Sequence, residues 1–220
     1  MIITEQKDLQ EILAYLEKAR KVYLVGCGSC ATAWHTGGEP EVREMADRLG
    51  AEGKEVIGWT IVEEPCDERK VKKDLIRPSK DKLAQADAVL VMSCGAGVST
   101  VANCLEKVPV YPALDSLYLA RVERLTKSDE RCVLCGECIL AFTGGICPVA
   151  TCPKGLLNGP CGGIKDGRCE VDLERECAWV QIFNRMASLE ATDKLAVIQQ
   201  PKNNAKAIHP RRREKAPVSS

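Results

Sequence analysis

The sequence has few aromatic residues, few histidines and no excess of either charge. Its 220 residues include three Trp, four Tyr and two Phe, so the core must consist mainly of aliphatic side chains. The 31 basic and 31 acidic residues cancel, which argues against a general nucleic-acid binder, because such proteins carry a strong basic excess. With only two histidines, His35 and His209, the sequence shows no Ser-His-Asp set of the kind that hydrolases use.

Long apolar runs are also missing. Charged residues interrupt the first 21 residues, so we expect no secretory signal there, and no uncharged apolar run is long enough to span a bilayer. We therefore expect a cytoplasmic protein with reduced thiols. In that compartment, clustered cysteines bind metal or do redox work more often than they form disulfides. The odd number of cysteines, 13, also fits poorly with a closed set of disulfides.

Apolar runs alternate with helical patterns in the first half of the chain. Strands are predicted near residues 22–25, 56–62, 88–92 and 108–112. Helices are predicted over residues 5–20, 39–49, 70–86 with a break at Pro78, and 98–106. This alternation predicts a parallel sheet with right-handed crossovers, and therefore a Rossmann-like or flavodoxin-like α/β domain over residues 1–122. The order of the strands cannot be read from the sequence.

The pattern changes in the second half, where cysteine, glycine and proline replace periodic apolar spacing. We predict a cysteine-rich, ferredoxin-like loop region over residues 123–190, with a helix near 173–189. The remaining residues, 191–220, are polar and contain proline, so we expect an extended tail that a partner would have to order.

One group of cysteines follows the predicted strands. Cys27 and Cys30 follow the first in a C-x-x-C pair, Cys66 follows the second and Cys94 the third. Because the carboxyl ends of parallel strands meet at one edge, these four thiols should converge on a rim site for iron or zinc. Two alternatives stay open there: GCGSCA matches a loose dinucleotide-binding pattern, and cysteines also occur as buried core residues. For Cys104, within a predicted helix, the core interpretation is preferred.

A second group of eight cysteines occupies the loop region. Cys132, Cys135 and Cys138 form a C-x-x-C-x-x-C run, which favours an iron–sulfur cluster over zinc. Five more thiols follow, at Cys147, Cys152, Cys161, Cys169 and Cys177. Twelve thiols in sets of four predict up to three [4Fe–4S] clusters, with zinc as the competing metal. In bacterial ferredoxins the fourth cysteine serves the other cluster, and here the partner of the first three is not assigned.

Side chains near these cysteines are also candidates for a supporting role. Basic residues would offset the negative charge of a cluster, although for each of them taken singly a solvated surface is the preferred interpretation: Arg131, Lys154, Lys165, Arg168 and Arg175. Trp179, beside Cys177, would shield a cluster, or would simply pack against its helix.

Several motifs together resemble a known family. GCGSCAT, HTGGEPEV, SCGAGVSTVA and GGICPVATCPKGLLNGPCGG, with GRCEVD and CAW, are similar to the cysteine-rich small subunit of methylenetetrahydrofolate reductase, over most of residues 22–182. The resemblance implies an oxidoreductase subunit of one-carbon metabolism in acetogens (Wood-Ljungdahl pathway) and related anaerobes. Its implied partner is a flavin-containing barrel subunit that binds the folate, and the implied metal ligands are the cysteines already selected by spacing.

Three hypotheses follow from the sequence. The first is a non-catalytic subunit that passes electrons from ferredoxin, or from a pyridine-nucleotide-oxidising partner, to the flavin of the catalytic subunit. The second is a zinc-bound structural scaffold of the same complex. The third is a flavin or nicotinamide enzyme that uses GCGSCA as its phosphate loop.

Overall fold

A computed structural model of the protein describes residues 1–124 and 127–212. The chain divides into two compact units, Met1–Asp129 and Glu130–Ser220. The last part of the predicted tail, residues 213–220, lies outside the described residues.

The first unit is built on a parallel sheet of four strands. The strands are β2 (Lys21–Cys27), β3 (Glu55–Val62), β4 (Ala88–Met92) and β5 (Val110–Pro112), in the spatial order β3-β2-β4-β5. All three neighbouring pairs are parallel. The predicted α/β class and its parallel sheet are therefore confirmed.

Helices cover both faces of this sheet. The helices α1 (Leu9–Tyr15) and α3 (Glu39–Ala51) enclose a core with Leu24 and Leu90. On the other face lie α4 (Glu68–Lys70), a π-helical segment (Val71–Ile76), α5 (Arg77–Leu83) and α6 (Gly95–Cys104). They enclose a second core with Tyr23, Val25 and Val91. Successive strand residues point to opposite faces, so the apolar runs of β2 and β4 supply both cores.

An antiparallel sheet that the sequence did not predict completes this unit. It has the order β1-β6-β7, with β1 (Ile2–Gln6), β6 (Leu114–Arg124) and β7 (Lys127–Glu130). The pairing of β1 with β6 corrects the predicted helix over residues 5–20. Residues 2–6 pair with residues 114–119, and the Asp8 side chain accepts the Gln10 N–H, so the helix begins only at Leu9.

Pro78 does not break its helix as predicted. The segment over residues 68–83 is continuous, and the turns just before the proline are π-helical. The Arg77 N–H bonds to the Lys72 carbonyl, five residues back. This wider turn admits a proline, which has no N–H and whose ring would crowd an ordinary α-helical turn.

The second unit has little regular structure. Its described residues contain α7 (Pro148–Thr151), α8 (Ala178–Ser188) and three short 3₁₀ helices, at Leu140–Phe142, Thr192–Ala196 and Asn204–Ala207. Its small core includes Trp179, Ile182 and Met186 of α8. The predicted helix over 173–189 begins later, at Ala178, because the residues before it form a small ladder in which Arg168 pairs with Glu176. The ferredoxin-like character of this region stays a prediction.

Candidate thiol sites

The first candidate site lies at the carboxyl edge of the parallel sheet. Cys27 is the last residue of β2, and Cys30 begins α2 (Cys30–Ala33) three residues later. Cys66 follows the end of β3, and Cys94 caps the amino end of α6 just after β4. We call these four residues the rim thiols.

Cys66 lies within electrostatic reach of two other rim thiols. The pKa of the Cys66 thiol is raised first by burial, and then by the nearness of Cys94 and, more weakly, of Cys27. Cys27 is almost fully buried, with 6% of its surface exposed. Thiols from three different strand ends therefore lie in one neighbourhood, and a metal site that they form with Cys30 stays a prediction.

Close backbone contacts hold the loops that carry these thiols. The Gly37 carbonyl accepts the Cys27 N–H at 2.9 Å, and the Gly28 N–H bonds to the Val62 carbonyl at 2.8 Å. The Ser93 hydroxyl, one residue before Cys94, is buried and has no hydrogen-bond partner among the described residues. A buried hydroxyl without a partner costs about 1–3 kcal/mol. This hydroxyl faces Gly97 in the first turn of α6, where a Cβ would lie 2.1 Å from it.

The dinucleotide alternative finds little support in this geometry. The G-x-G-x-x-A fingerprint places a pyrophosphate at the amino end of a long helix that packs on the sheet. Here the helix that begins within GCGSCA, α2, has four residues. His35, which follows it, is exposed, and its ring lies 3.7 Å from the Glu41 carboxylate.

The second candidate site is a cavity in the second unit. Four consecutive cysteines line it: Cys132, Cys135, Cys138 and Cys147. We call this space, of about 390 Å³, the first cysteine cavity. The C-x-x-C-x-x-C run thus shares its cavity with the next cysteine along the chain, which the sequence did not assign.

The loop around these cysteines uses unusual backbone angles. Leu134 and Gly136 have positive φ values of 54° and 80°. The turn directs the Leu134 N–H at the Cys132 sulfur, 3.4 Å away. Such N–H···S contacts stabilise thiolate ligands and tune the potential of an iron–sulfur cluster.

Cations also line the first cysteine cavity. Arg131 does so, as do Lys202 and Arg211 from the end of the described chain. The last two were not among the predicted residues, because they lie in the segment predicted to be an extended tail. Their signal was a cluster of basic residues in PKNNAKAIHPRRR, with no apolar pattern to indicate that it would pack.

A third candidate site is a smaller cavity lined by the next four cysteines. They are Cys152, Cys161, Cys169 and Cys177, and we call their space the second cysteine cavity. A short ladder positions two of them, with the Cys169 N–H bonded to the Arg175 carbonyl and the Cys177 N–H to the Gly167 carbonyl. The two cysteine sets are consecutive along the chain, whereas ferredoxin sets are interleaved.

Polar side chains around the second cysteine cavity are mostly paired. Lys154 pairs with Glu170, and Arg175 with Asp172, so their charges are partly neutralised. Trp179 lines the cavity and donates its indole N–H to the Leu156 carbonyl at 3.0 Å. Of the predicted basic residues, Lys165 and Arg168 line neither cysteine cavity.

The Thr151 hydroxyl stands out among the groups that line the second cysteine cavity. It is buried and, within the described part of the chain, has no hydrogen-bond partner. The cavity itself measures about 20 Å³, roughly the room of one water molecule, so its walls must move outward to admit a larger group.

The donor chemistry of the two cavities suits an iron–sulfur cluster. A [4Fe–4S] cluster takes one cysteine thiolate for each of its four irons, and each cavity offers four thiols around a shared space. In residues 1–124 and 127–212, no group of three or more His, Cys, Asp or Glu side chains is already arranged to hold a metal ion. Cys104, by contrast, ends α6 and packs against the second core of the first unit, where burial raises its pKa.

Fold and thiols define a class of protein: an α/β unit with cysteines at its sheet edge, joined to a loop-rich unit with two sets of four cysteines. Residues 111–205, which contain both cavities' cysteines, match the family model described as methylene-tetrahydrofolate reductase C terminal. The resemblance seen in the sequence is therefore confirmed for this part of the chain. No curated protein and no solved structure matches the chain. No helix in the described ranges is long and apolar enough to cross a membrane.

Proposed function

We propose that the protein is an iron–sulfur electron-transfer subunit of a methylenetetrahydrofolate reductase complex. One observation carries the proposal: in the part of the chain that matches this family, eight cysteines divide into two consecutive sets of four, and each set lines one cavity. Unpaired structural cysteines have no reason to group in fours. The family match supports oxidoreductase and folate metabolism as the context.

The proposal assigns ligands to each cluster. Cys132, Cys135, Cys138 and Cys147 would hold one, and Cys152, Cys161, Cys169 and Cys177 the other. The rim thiols are the proposed ligands of a third centre. When bound, such a cluster accepts and gives up one electron at a potential set by its surroundings. The chain's own part is to supply thiolates, N–H···S contacts such as that of Leu134, and nearby positive charge.

The proposed partners follow from the family. The parallel sheet described here has four strands, whereas a (β/α)₈ barrel has eight, so we assign the flavin and the folate to a barrel subunit. Electrons would come from ferredoxin or from a pyridine-nucleotide-oxidising subunit. In this arrangement the chain itself catalyses no reaction on the folate.

The test is anaerobic co-purification with the flavin subunit, followed by iron, zinc and acid-labile sulfide analysis and by stopped-flow measurement of flavin reduction. We expect iron and sulfide in near-equal amounts, and flavin reduction that depends on this subunit. Cys135→Ser should lose iron and slow flavin reduction, whereas the matched control Cys104→Ser should change neither. A colourless protein that contains zinc and no iron would show a scaffold and refute the electron-transfer role.

A further inference from the structure

The end of the described chain folds back across the first cysteine cavity. Residues 199–212, which we call the basic strap, are attached at their start by Asn158. Its side chain accepts the Gln199 N–H at 2.7 Å and donates to the Gln199 carbonyl at 2.9 Å. This pair of hydrogen bonds fixes the direction in which the strap leaves the body of the unit.

Glu137, between two of the cavity's cysteines, holds the middle of the basic strap. Its carboxylate accepts the Asn203 N–H at 2.8 Å and bonds to the Lys206 ammonium at 2.6 Å. The approach is close enough that a Cβ on Gly136 would lie 3.1 Å from the Lys206 Cβ. The strap therefore packs directly on the cysteine loop.

These attachments place two cations at the cavity. The Lys202 ammonium donates to the Glu137 carbonyl, and the Arg211 guanidinium donates to the Leu134 carbonyl at 2.5 Å. Both side chains also line the first cysteine cavity. The carbonyl groups that accept these bonds are neutral, so neither hydrogen bond cancels the charge of its cation. The acid that lines the same cavity, Glu137, bonds to Lys206 and Asn203 and attracts Lys202 only through space, without an ion-pair contact.

We propose that Lys202 and Arg211 are positioning residues for the redox centre of the first cysteine cavity, and that the basic strap holds them there to raise its reduction potential. The inference rests on the proposed function. A cluster with four thiolate ligands is negatively charged and becomes more so on reduction, so nearby cations favour its reduced state. Within the described part of the chain, the cations that line the second cysteine cavity, Lys154 and Arg175, are instead paired with acids.

The experiment is a redox titration of the full chain, purified anaerobically and followed by electron paramagnetic resonance. The signal of the first cavity is the one that Cys135→Ser removes, and the signal that remains serves as an internal reference. The test variant is the double substitution Lys202→Gln with Arg211→Gln. Its matched controls are the charge-conserving pair Lys202→Arg with Arg211→Lys, and Lys194→Gln, which removes a positive charge that lines neither cysteine cavity.

We expect the double Gln variant to lower the equilibrium constant for one-electron reduction of the first centre about tenfold, a shift of about 59 mV to lower potential. The second centre and both controls should keep the wild-type potentials. An unchanged first potential in a protein with full iron content overturns this inference and leaves the proposed function standing. Equal iron loss from the Gln and the charge-conserving pairs also overturns it, since the strap then only supports the loop. Wild-type protein without iron refutes both the inference and the proposed function.

Discussion

Gly37→Ala should disturb the edge of the sheet where the rim thiols lie. A Cβ at this position would stand 2.2 Å from the Met92 carbonyl oxygen and 2.9 Å from the Met92 carbonyl carbon. Both are backbone atoms at the end of β4, so no side-chain rotation relieves the contact. The Gly37 carbonyl also accepts the Cys27 N–H, and the alanine would therefore push Cys27 and the segment before Cys94 apart.

The size of the effect follows from this contact. Inserting one methyl group into a closely packed site costs about 1–3 kcal/mol, and a backbone obstacle places Gly37→Ala at the upper end of that range. Gly50→Ala is the matched control. Gly50 lies in α3, and a Cβ added there would have nothing within 4 Å, so alanine should stabilise the helix by about 0.5–1 kcal/mol.

Urea unfolding of the metal-free, reduced chain measures both effects, through the midpoint and slope of the transition. Hydrogen exchange of peptides from β2 and β4 locates the loss in the first unit. We expect faster exchange there for Gly37→Ala and wild-type or slower exchange for Gly50→Ala. Equal free energies of unfolding for the two variants would refute the close approach of Gly37 to Met92 on which the rim geometry depends.

Three further predictions concern single side chains. Thr151→Val should stabilise the metal-free chain by about 1 kcal/mol in urea unfolding, because it removes a buried hydroxyl that no described residue satisfies; a loss of stability would contradict this. Asp87→Asn should destabilise the chain near neutral pH, because the Lys21 and Arg20 N–H groups lower the pKa of this carboxyl in the folded state. The difference in free energy of unfolding between the wild type and Asp87→Asn should disappear as the pH falls below about 4, where the carboxyl becomes protonated. A difference that persists in acid would argue against this role. Cys161→Ser should lower the iron content by one cluster and leave in place the electron paramagnetic resonance signal of the first cysteine cavity, the one that Cys135→Ser removes. Loss of the signals of both cavities in Cys161→Ser would contradict two separate sites.

The parallel sheet was predictable from the sequence because its central strands, β2 and β4, are buried on both faces. Apolar, β-branched runs such as residues 22–25 therefore mark them directly. The antiparallel sheet was not, since β1 pairs with residues more than 100 positions away and its own sequence is short and half polar. Strand order likewise depends on which crossovers pack best, which no local pattern records.

The positions of the cysteines were likewise predictable only in part. Because strand ends share an edge, the sequence alone predicted that Cys27, Cys66 and Cys94 lie close together. The pKa of Cys66, raised first by burial, is raised further by Cys94 and Cys27. Spacing alone did not show that Cys147 joins the C-x-x-C-x-x-C cysteines in one cavity, because loops with many glycines and prolines can adopt several conformations. The basic strap was missed for a related reason: it is held by a few polar contacts to Glu137 and Asn158, which leave no periodic signature in the sequence.

The eight cysteines of the second unit, on the proposed function, hold two separate iron–sulfur clusters. The most direct measurement is Mössbauer spectroscopy with iron and sulfide analysis of anaerobically purified wild-type, Cys135→Ser and Cys161→Ser chains. We predict [4Fe–4S] signals in the wild type and the loss of one cluster, with about four irons, in each variant. Wild-type protein with zinc or with no metal at these cysteines would contradict this prediction.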